Sequence, residues 1–465
     1  MNSVHKTERD TCRLIITRRN ASEVLLLPSG RAWSLPSVEI LRGERIAEQL
    51  TAQFHTKCGF QAYCLFMSST ATSDGAPQDG RCAVMETLKH NDNAPAGTQW
   101  VPLAAVERWD EHTTDAALRE SIQQLRTHQR KSSTGPFARP GWFRDLFQWA
   151  QEQIDPLGLR MTGYFRQLNA SPTFSLIRLE TTGPAVWFKA TGEPNLHEFP
   201  ISVSLARLFP EYVPAILGTR PTWNAWLSRE ASGQELDQLK QYSGWERVAE
   251  ALANLQIASI GKRVELLESE CKDLRLRKII GLVDPFLARM ADFMASQEKP
   301  APAPLKKSEL CLLGNRLKEA CWQLQDLGFP DTLGHIDFSP GNILVSPERC
   351  CFLDWAEGCV TQPFFTLEYL REYSRQSFPQ DGAVAERVAA AYIRPWRFFF
   401  SAHAITRAMA VSPLIAVFAY AVANKTWCSS EALSNPSIAA CLRSLTRRMN
   451  REAKHVLEGS ERCLN

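Results

Sequence analysis

The sequence predicts an α+β protein with two lobes, a small β-rich lobe followed by a larger helical lobe, and a separate α/β domain that precedes both. Three observations lead to this prediction. Short apolar runs alternate with polar turns as far as about residue 217, the chain is mostly helical from about residue 235, and one strand–loop–strand segment at 333–354 interrupts the helices.

The composition fits a globular protein of two or three domains. The chain has 465 residues, of which 44% are hydrophobic and 22% charged, and a domain usually takes roughly 150 residues. Its 53 basic and 50 acidic residues leave a formal charge of +3. This charge is too small to predict a nucleic acid or an anionic membrane as a partner. A disordered or fibrous protein is excluded.

Cysteine usage and the first residues predict a cytoplasmic protein. The 13 cysteines are odd in number and show no C-x-x-C spacing, which argues against a disulfide framework or a structural zinc site. The opening residues, MNSVHKTERDTCR, lack the apolar core of a signal peptide. The apolar stretch Phe398–Val422 contains His403, Arg407 and Pro413, so we expect buried helices there rather than a membrane span.

Residues 1–130 are predicted to form the first domain. Apolar runs at 13–16 and 24–27 favour a β-hairpin, and a helix is expected from about Ile46 to Lys57, ended by Gly59 as its C′ residue. The basic, proline-containing stretch 128–141 then predicts a boundary, so that 131–160 form a linker and a connecting helix. Large side chains at helical spacing predict a packing face on that helix: Trp142, Phe143, Leu146 and Trp149.

Residues 161–465 are predicted to form the second, larger domain. Strands are expected at 174–179, 185–189 and 213–217, with a helical segment at 197–209 between the last two. The remainder is helical apart from a proline-rich loop and the segment at 333–354.

That segment carries the strongest chemical signal. HIDFSPGN is followed by the apolar strand ILV and then by FLDW. Phosphoryl transfer needs one carboxylate that orients the acceptor hydroxyl and takes its proton, and oxygen ligands that hold Mg²⁺ against nucleotide phosphates. Asp337 and Asn342 lie on one loop, and the strand–turn–strand would return Asp354 to them. We therefore expect Asp337 as the catalytic base, Asn342 and Asp354 as metal ligands, and His335 as a brace of the loop.

This pattern, H-x-D-x-x-x-x-N, an apolar strand and L-D-W, resembles the aminoglycoside phosphotransferase (choline kinase-like) superfamily. The resemblance covers about residues 160–465 and implies a protein-kinase-like fold. It also implies Mg²⁺-dependent transfer of a phosphate from ATP or GTP to a hydroxyl of a small molecule. Ile336 stands where the family usually has glycine.

The resemblance further implies nucleotide-binding residues upstream of the loop. Lys189, at the end of VWFK, corresponds to the strand lysine that grips the phosphates, and Glu198 can pair with it. Leu227 falls where the hinge would receive the base. The phosphate-covering loop would lie in the NASPT segment, which lacks G-x-G-x-x-G. Ser171 and Thr173 could supply hydroxyls there, and a plain turn is the alternative.

Two positions depart from the family pattern. Gln256 stands where histidine is common, in the helix ALANLQ. The segment TQPFFTL lacks the second acid of the usual G-D-P-x-x-D-L, which leaves Glu368 nearby. Both positions are expected to buttress the lobe.

The first domain resembles a Nudix domain that has lost its metal ligands. WSLP is followed by the predicted helix, and an alignment on Gly59 places the first acid at Glu44 and the R-E-U-x-E-E stretch on AQFHTK at 52–57. No metal-binding glutamate of the helix remains, so no pyrophosphate hydrolysis is expected. Such a domain would bind a nucleotide-like ligand, recognise substrate or pack against the kinase lobe. An unrelated α/β domain is the alternative.

The sequence therefore predicts a small-molecule kinase that uses ATP or GTP and Mg²⁺ and has neither a nucleic-acid nor a membrane partner. One alternative is a catalytically inactive nucleotide-binding regulator, a pseudokinase joined to a degenerate Nudix domain. A two-domain scaffold is another. The acceptor stays open, because residues 441–465 carry six Arg or Lys against three Glu, which does not favour a polycationic drug. A sugar, an amino alcohol or a nucleoside-like metabolite is equally open, as is the oligomeric state.

Overall fold

The computed structural model describes residues 8–29, 32–68, 81–88, 93–106, 108–109, 116–130 and 135–462. The chain divides into two compact units. The first holds residues up to 199 together with 215–230, and the second holds 200–214 together with the chain from 231 onward. The predicted boundaries at 130 and 160 stay predictions, and residues 131–134 of the predicted linker lie outside the described residues.

The first unit begins with a mixed seven-stranded sheet. The strand order is β3-β2-β1-β6-β5, with β4 paired to β1 and β7 paired to β2, and β1 and β6 run parallel. The strands are β1 (Arg9–Arg18), β2 (Glu23–Ser29), β3 (Ala32–Ser34), β4 (Ser37–Leu41), β5 (Ala62–Ser68), β6 (Arg81–Thr87) and β7 (Gln99–Pro102). The accompanying helices are α1 (Ile46–Cys58), α2 (Leu103–Val106), α3 (Ala116–Arg130) and α4 (Trp142–Ile154).

Helix α1 forms where the sequence predicts it. It ends at Gly59, which adopts the left-handed conformation with φ of 75° and closes the last turn through its N–H. Three buried side chains, Ala47, Leu50 and Phe54, follow helical spacing and pack against one face of the sheet. The predicted helix and its glycine stop are confirmed.

A second, antiparallel sheet completes the first unit, in the order β11-β12-β10-β9-β8. Its strands are β8 (Met161–Ala170), β9 (Ser175–Thr181), β10 (Val186–Ala190), β11 (Ile216–Arg220) and β12 (Ala225–Arg229). Helix α4 lies between the two sheets in one hydrophobic core. The Phe143 ring lies 4.4 Å from that of Tyr63 in β5 and 4.6 Å from that of Phe165 in β8. The predicted packing face of this helix is confirmed.

A buried carboxylate fixes the start of α4. Glu86 is 1% exposed and accepts hydrogen bonds from the Tyr63 hydroxyl, from the Gly141 N–H at 2.5 Å and from the Asn20 N–H at 3.1 Å. Gly141 immediately precedes α4, so the negative charge lies at the positive end of the helix dipole. Burial raises the pKa of Glu86, and the hydrogen bonds from Tyr63 and Gly141 oppose that rise.

We expect Glu86→Ala to lower the free energy of unfolding by about 3 kcal/mol, because the buried Tyr63 hydroxyl and the partly buried N–H groups of Gly141 and Asn20 lose their acceptor at once. The pKa of Glu86 in the folded protein lies above that of an exposed carboxyl, so the folded state binds this proton more tightly. The contribution of this proton to stability is therefore fully present below the unfolded pKa of Glu86 and is lost as pH rises through its folded pKa. Urea unfolding at several pH values measures both effects. An identical pH slope in the variant would contradict the assignment.

The second unit is mostly helical. Its helices are α5 (Glu198–Leu208), whose first two residues fall in the first unit, α6 (Tyr242–Ala258), α7 (Arg263–Glu268), α8 (Leu276–Ile279), α9 (Val283–Ala295), α10 (Lys307–Asp326), α11 (Pro363–Ser377), α12 (Val384–Trp396), α13 (Ala402–Ala423) and α14 (Pro436–Arg462). Its short strands are β13 (Gln234–Glu235), β14 (Lys272–Asp273), β15 (Thr332–His335), β16 (Ile343–Val345), β17 (Cys350–Phe352) and β18 (Gly358–Thr361). They form two small sheets, β13-β16-β17 and β14-β18-β15. The α+β class and the order of β-rich and helical parts are confirmed.

Helix α13 is the one helix in the described ranges that is long and apolar enough to cross a membrane by length and composition. Its mean hydropathy is 1.7 over the relevant window, and 67% of that window is buried inside the protein. A core helix of a globular lobe has these properties, and the prediction of buried helices in this stretch agrees with them.

Candidate active site

The predicted catalytic loop joins the two small sheets of the second unit. Strand β15 ends at His335, and β16 begins directly after Asn342. The β16–β17 hairpin then turns the chain back, and the Leu353 N–H donates to the Asn342 carbonyl at 2.8 Å. The hairpin therefore returns Asp354 to the loop that carries Asp337, as the strand–turn–strand pattern predicts.

Asp337 presents an exposed carboxylate among other acids. Partial burial raises the pKa of Asp337, the charge of His335 opposes that rise, and the negative charges of Asp354 and Glu357 add to it. A carboxylate with a raised pKa is a stronger proton acceptor than an ordinary aspartate. The position and the chemistry suit a general base.

His335 lies behind this loop and is 1% exposed. Its backbone N–H donates to Thr366 Oγ1 at 3.0 Å, and its Nε2 lies 3.2 Å from the Leu353 carbonyl. Because a carbonyl only accepts, we assign the ring proton to Nε2. Burial lowers the pKa of His335, and its ring packs against Trp355 at 4.8 Å. These contacts support the predicted role of a brace.

Asn342 and Asp354 offer oxygen atoms of the kind that Mg²⁺ prefers. The Asn342 Nδ2 donates to the Asp337 carbonyl at 3.3 Å, which leaves Oδ1 as the amide atom for a cation. Asp354 is exposed and has φ of 60°, a conformation that is uncommon outside glycine and is concentrated at functional sites.

The protein supplies only part of a magnesium shell at this position. Within the described residues there is no group of three or more His, Cys, Asp or Glu side chains that could hold a metal ion. Mg²⁺ demands six ligands, so two protein oxygens suit an ion that takes its other ligands from phosphates and water. The donor set therefore fits a nucleotide-bound magnesium ion.

Four residues that the sequence analysis did not single out interact with the charge of Asp337 or pair with a residue that does. Burial and the charge of Asp337 raise the pKa values of Tyr373 in α11 and Tyr420 in α13. Lys272 in β14 forms an ion pair with Glu357. Among these residues, only Glu357 could have been found from the sequence, because it lies three residues beyond Asp354 in DWAE. The others reach the loop through the parallel β14–β18 pairing and the packing of α11 and α13.

In the first unit, the structure brings the predicted pair Lys189 and Glu198 together. The Lys189 ammonium contacts Glu198 Oε1, and the glutamate side chain is 2% exposed. The rings of Phe174 and Trp226 lie 5.9 and 5.8 Å from Lys189 Nζ. A rigid strand, a buried counter-ion and two aromatic faces thus hold one cation in a defined position.

The other predicted nucleotide-binding residues are engaged within the first unit. Ser171 Oγ accepts from the N–H groups of Thr173 at 3.3 Å and Phe174 at 2.8 Å, which closes the β8–β9 turn. Leu227 is fully buried in β12 and is paired with strands on both sides. The nucleotide-binding roles of Ser171, Thr173 and Leu227 stay predictions.

The two departures from the family pattern have structural partners in the second unit. The Gln256 amide donates to the Pro363 carbonyl at 2.9 Å and accepts from the Tyr392 hydroxyl. Glu368 is 8% exposed and pairs with Arg371 at 2.8 Å. Gln256 therefore connects α6 with α11 and α12. Glu368 pairs within α11, and its partner Arg371 also pairs with Glu386 of α12.

Residues 224–399 match the model of the phosphotransferase enzyme family. The match contains His335, Asp337, Asn342 and Asp354. It begins at residue 224, so the predicted first domain and the pair Lys189 and Glu198 lie outside it. The resemblance to aminoglycoside phosphotransferases is therefore confirmed for this part of the chain, as a match to the phosphotransferase enzyme family. The Nudix-like start stays a prediction, and among curated proteins none matches the chain.

Several solved structures are similar to this chain at low identity. The apoenzyme of macrolide 2′-phosphotransferase MphH from Brachybacterium faecium has 16% identity, covers 65% of this chain and 97% of its own, and has a TM-score of 0.43. Choline kinase LicA from Streptococcus pneumoniae has 14% identity, covers 68% of this chain and 99% of its own, and has a TM-score of 0.40. A choline kinase from Cryptosporidium parvum has 14% identity, covers 69% of this chain and 96% of its own, and has a TM-score of 0.44.

Proposed function

We propose that this protein is a small-molecule kinase that transfers the γ-phosphate of ATP or GTP to a hydroxyl group, with Mg²⁺ as cofactor. The observation that carries the proposal is the loop of the second unit. It brings together the Asp337 carboxylate, whose pKa is raised, the amide of Asn342 and the carboxylate of Asp354. The family match over these residues supports phosphotransfer as the class of reaction.

In the proposed reaction, Asp337 accepts a hydrogen bond from the acceptor hydroxyl and takes its proton as the oxygen bonds to the γ-phosphorus. The bond from the γ-phosphorus to the bridging oxygen breaks, and the nucleoside diphosphate leaves with the electron pair. His335 keeps the loop in position, and Lys189, held by Glu198, binds phosphate oxygens. Mg²⁺, when bound by Asn342 and Asp354, would neutralise phosphate charge.

The setting that we propose is the cytoplasm, with a small hydroxyl-bearing metabolite as substrate. No disulfide joins the cysteines in the part of the chain that the structure describes, which supports a reducing compartment. The structure leaves sugars, amino alcohols and nucleoside-like compounds open as acceptors.

A nucleotide titration followed by an acceptor screen tests the function. Calorimetry with ATP and with GTP, each with and without Mg²⁺, measures binding. Release of nucleoside diphosphate is then followed with panels of sugars, amino alcohols and nucleosides, against a background without acceptor. We expect Mg²⁺-dependent binding and an acceptor-dependent release above that background. Absence of binding with both nucleotides would contradict the proposal.

An inactive nucleotide-binding regulator is the second candidate, because one observation favours it. The N–H groups of Thr173 and Phe174, which a phosphate-covering loop would offer, already donate to Ser171. Mg²⁺-dependent nucleotide binding without turnover on any acceptor would favour this candidate.

A further inference from the structure

The seven-stranded sheet contacts β8 through a fully buried glutamine. The side-chain amide of Gln167 accepts from the Cys64 N–H at 2.7 Å and donates to the Cys64 carbonyl at 2.8 Å. A neighbouring strand would form the same two hydrogen bonds with the N–H and the carbonyl of Cys64. The pairing register shifts on both sides of this contact, between Cys64 and Phe66 in β5 and between Gln167 and Asn169 in β8. Such bulges redirect side chains, and here they aim Gln167 at the sheet.

Two further contacts lie on either side of Gln167. The Arg166 guanidinium donates to Glu48 Oε1 of α1 from Nε at 2.8 Å and from Nη2 at 2.6 Å. Ala170, the last residue of β8, packs against the core beneath α1. Strand β8 is therefore held along its second half, up to the residue that precedes the β8–β9 turn.

The β8–β9 turn contacts the strand that carries Lys189. The Phe174 ring lies 5.9 Å from Lys189 Nζ. On the other side, a Cβ placed at Gly192 would lie 2.6 Å from both Cβ and the carbonyl oxygen of Thr173, so the turn and the chain after β10 are in close contact. Contacts within the first unit thus run without a break from the seven-stranded sheet to Lys189.

We propose that the seven-stranded sheet positions the β8–β9 turn beside Lys189, with Gln167 as the main positioning residue. The inference rests on the proposed role of Lys189 in phosphate binding. A glycine-rich loop offers its N–H groups to phosphate, whereas in this turn Ser171 engages the N–H groups of Thr173 and Phe174. We expect such a turn to contribute to nucleotide binding only if it is already fixed beside Lys189 before the nucleotide binds. Fixing it beforehand lowers the conformational entropy lost on binding.

The first test is Gln167→Leu, which removes both hydrogen bonds to Cys64. We expect faster hydrogen exchange at the Thr173 and Phe174 amides in the protein without nucleotide. We also expect the dissociation constant of Mg²⁺–ATP or Mg²⁺–GTP to rise at least about fivefold. The matched control is Gln256→Leu, since Gln256 is equally buried and also makes one donated and one accepted bond. That variant should lower the unfolding midpoint without changing either readout.

A second test uses the exposed ion pair of Glu48 and Arg166, because substitutions there leave the hydrophobic core unchanged. Glu48→Arg or Arg166→Glu alone places like charges together and should raise the nucleotide dissociation constant about twofold to threefold. The double variant restores the pair with reversed charges and should return the constant toward that of the wild type. If the pair only stabilised the fold, the single variants would lower the unfolding midpoint and leave the nucleotide dissociation constant unchanged, which would overturn the inference for this pair.

The two tests separate failure of the inference from failure of the proposed function. Unchanged exchange at Thr173 and Phe174 in Gln167→Leu overturns the inference whether or not nucleotide binds. If the wild type binds neither nucleotide, the proposed function fails, and faster exchange confined to the turn still shows that the sheet holds it. Equal weakening of nucleotide binding by Gln167→Leu and Gln256→Leu also overturns the inference, because general destabilisation then explains the effect.

Discussion

Replacing Asp337 by asparagine is expected to lower kcat about a thousandfold, within the range that a general base contributes. The amide of asparagine has nearly the shape of the carboxylate but cannot take a proton from the acceptor hydroxyl. The Asp337 side chain is exposed, and the described contact with Asn342 uses the backbone carbonyl. The loop should therefore keep its conformation, and the dissociation constant of Mg²⁺–ATP should stay within about twofold of the wild-type value.

The measurement is a comparison of kcat and nucleotide affinity for Asp337→Asn, the wild type and Asp292→Asn. Asp292 lies on α9 with its side chain 61% exposed, so this control makes the same chemical change at a surface position. Turnover that survives in Asp337→Asn would remove the role of base from this residue. Loss of nucleotide binding together with turnover would instead assign Asp337 to the binding of the nucleotide or of its metal.

Much of the loop could be predicted from sequence because its chemistry is local. His335, Asp337 and Asn342 lie within eight consecutive residues, and the hairpin that returns Asp354 is short. Backbone hydrogen bonds within such a segment leave few alternative arrangements. Lys189 and Glu198 are similarly close, at the end of a strand and the start of the next helix.

The remainder depends on pairings between distant segments. Gln167 and Cys64 are 103 positions apart, and Gln167 faces Cys64 only because both strands are bulged. No window of sequence contains that information. Lys272 reaches Glu357 through a parallel two-residue strand, which is too short to produce a recognisable pattern.

Composition also failed to show where the first unit has its core. The stretch 128–141 is rich in basic and small residues, and such a composition favours a linker. Phe137 within it is 1% exposed, and its ring lies 5.2 Å from that of Trp142. Average polarity does not report which single aromatic side chain will pack, because packing depends on the surface that the fold brings to it.

Replacing Asp354 is expected to abolish the Mg²⁺ dependence of nucleotide binding. Loss of one of two protein oxygens should raise the nucleotide dissociation constant at least about tenfold in Mg²⁺, since even residues behind metal ligands change metal affinity by that factor. Without Mg²⁺, wild type and variant should bind alike. Calorimetric titration of ATP and of GTP in both conditions measures the difference.

The backbone at Asp354 dictates which variants give a clear answer. With φ of 60°, alanine at this position adds roughly 1 kcal/mol of conformational strain to the loss of the ligand. Glycine removes the ligand without that strain, and asparagine tolerates the conformation and keeps one neutral oxygen. We therefore expect Asp354→Gly and Asp354→Ala to lose the Mg²⁺ dependence equally and Asp354→Asn to retain part of it. If only the alanine variant loses it, backbone strain and not metal binding accounts for the effect.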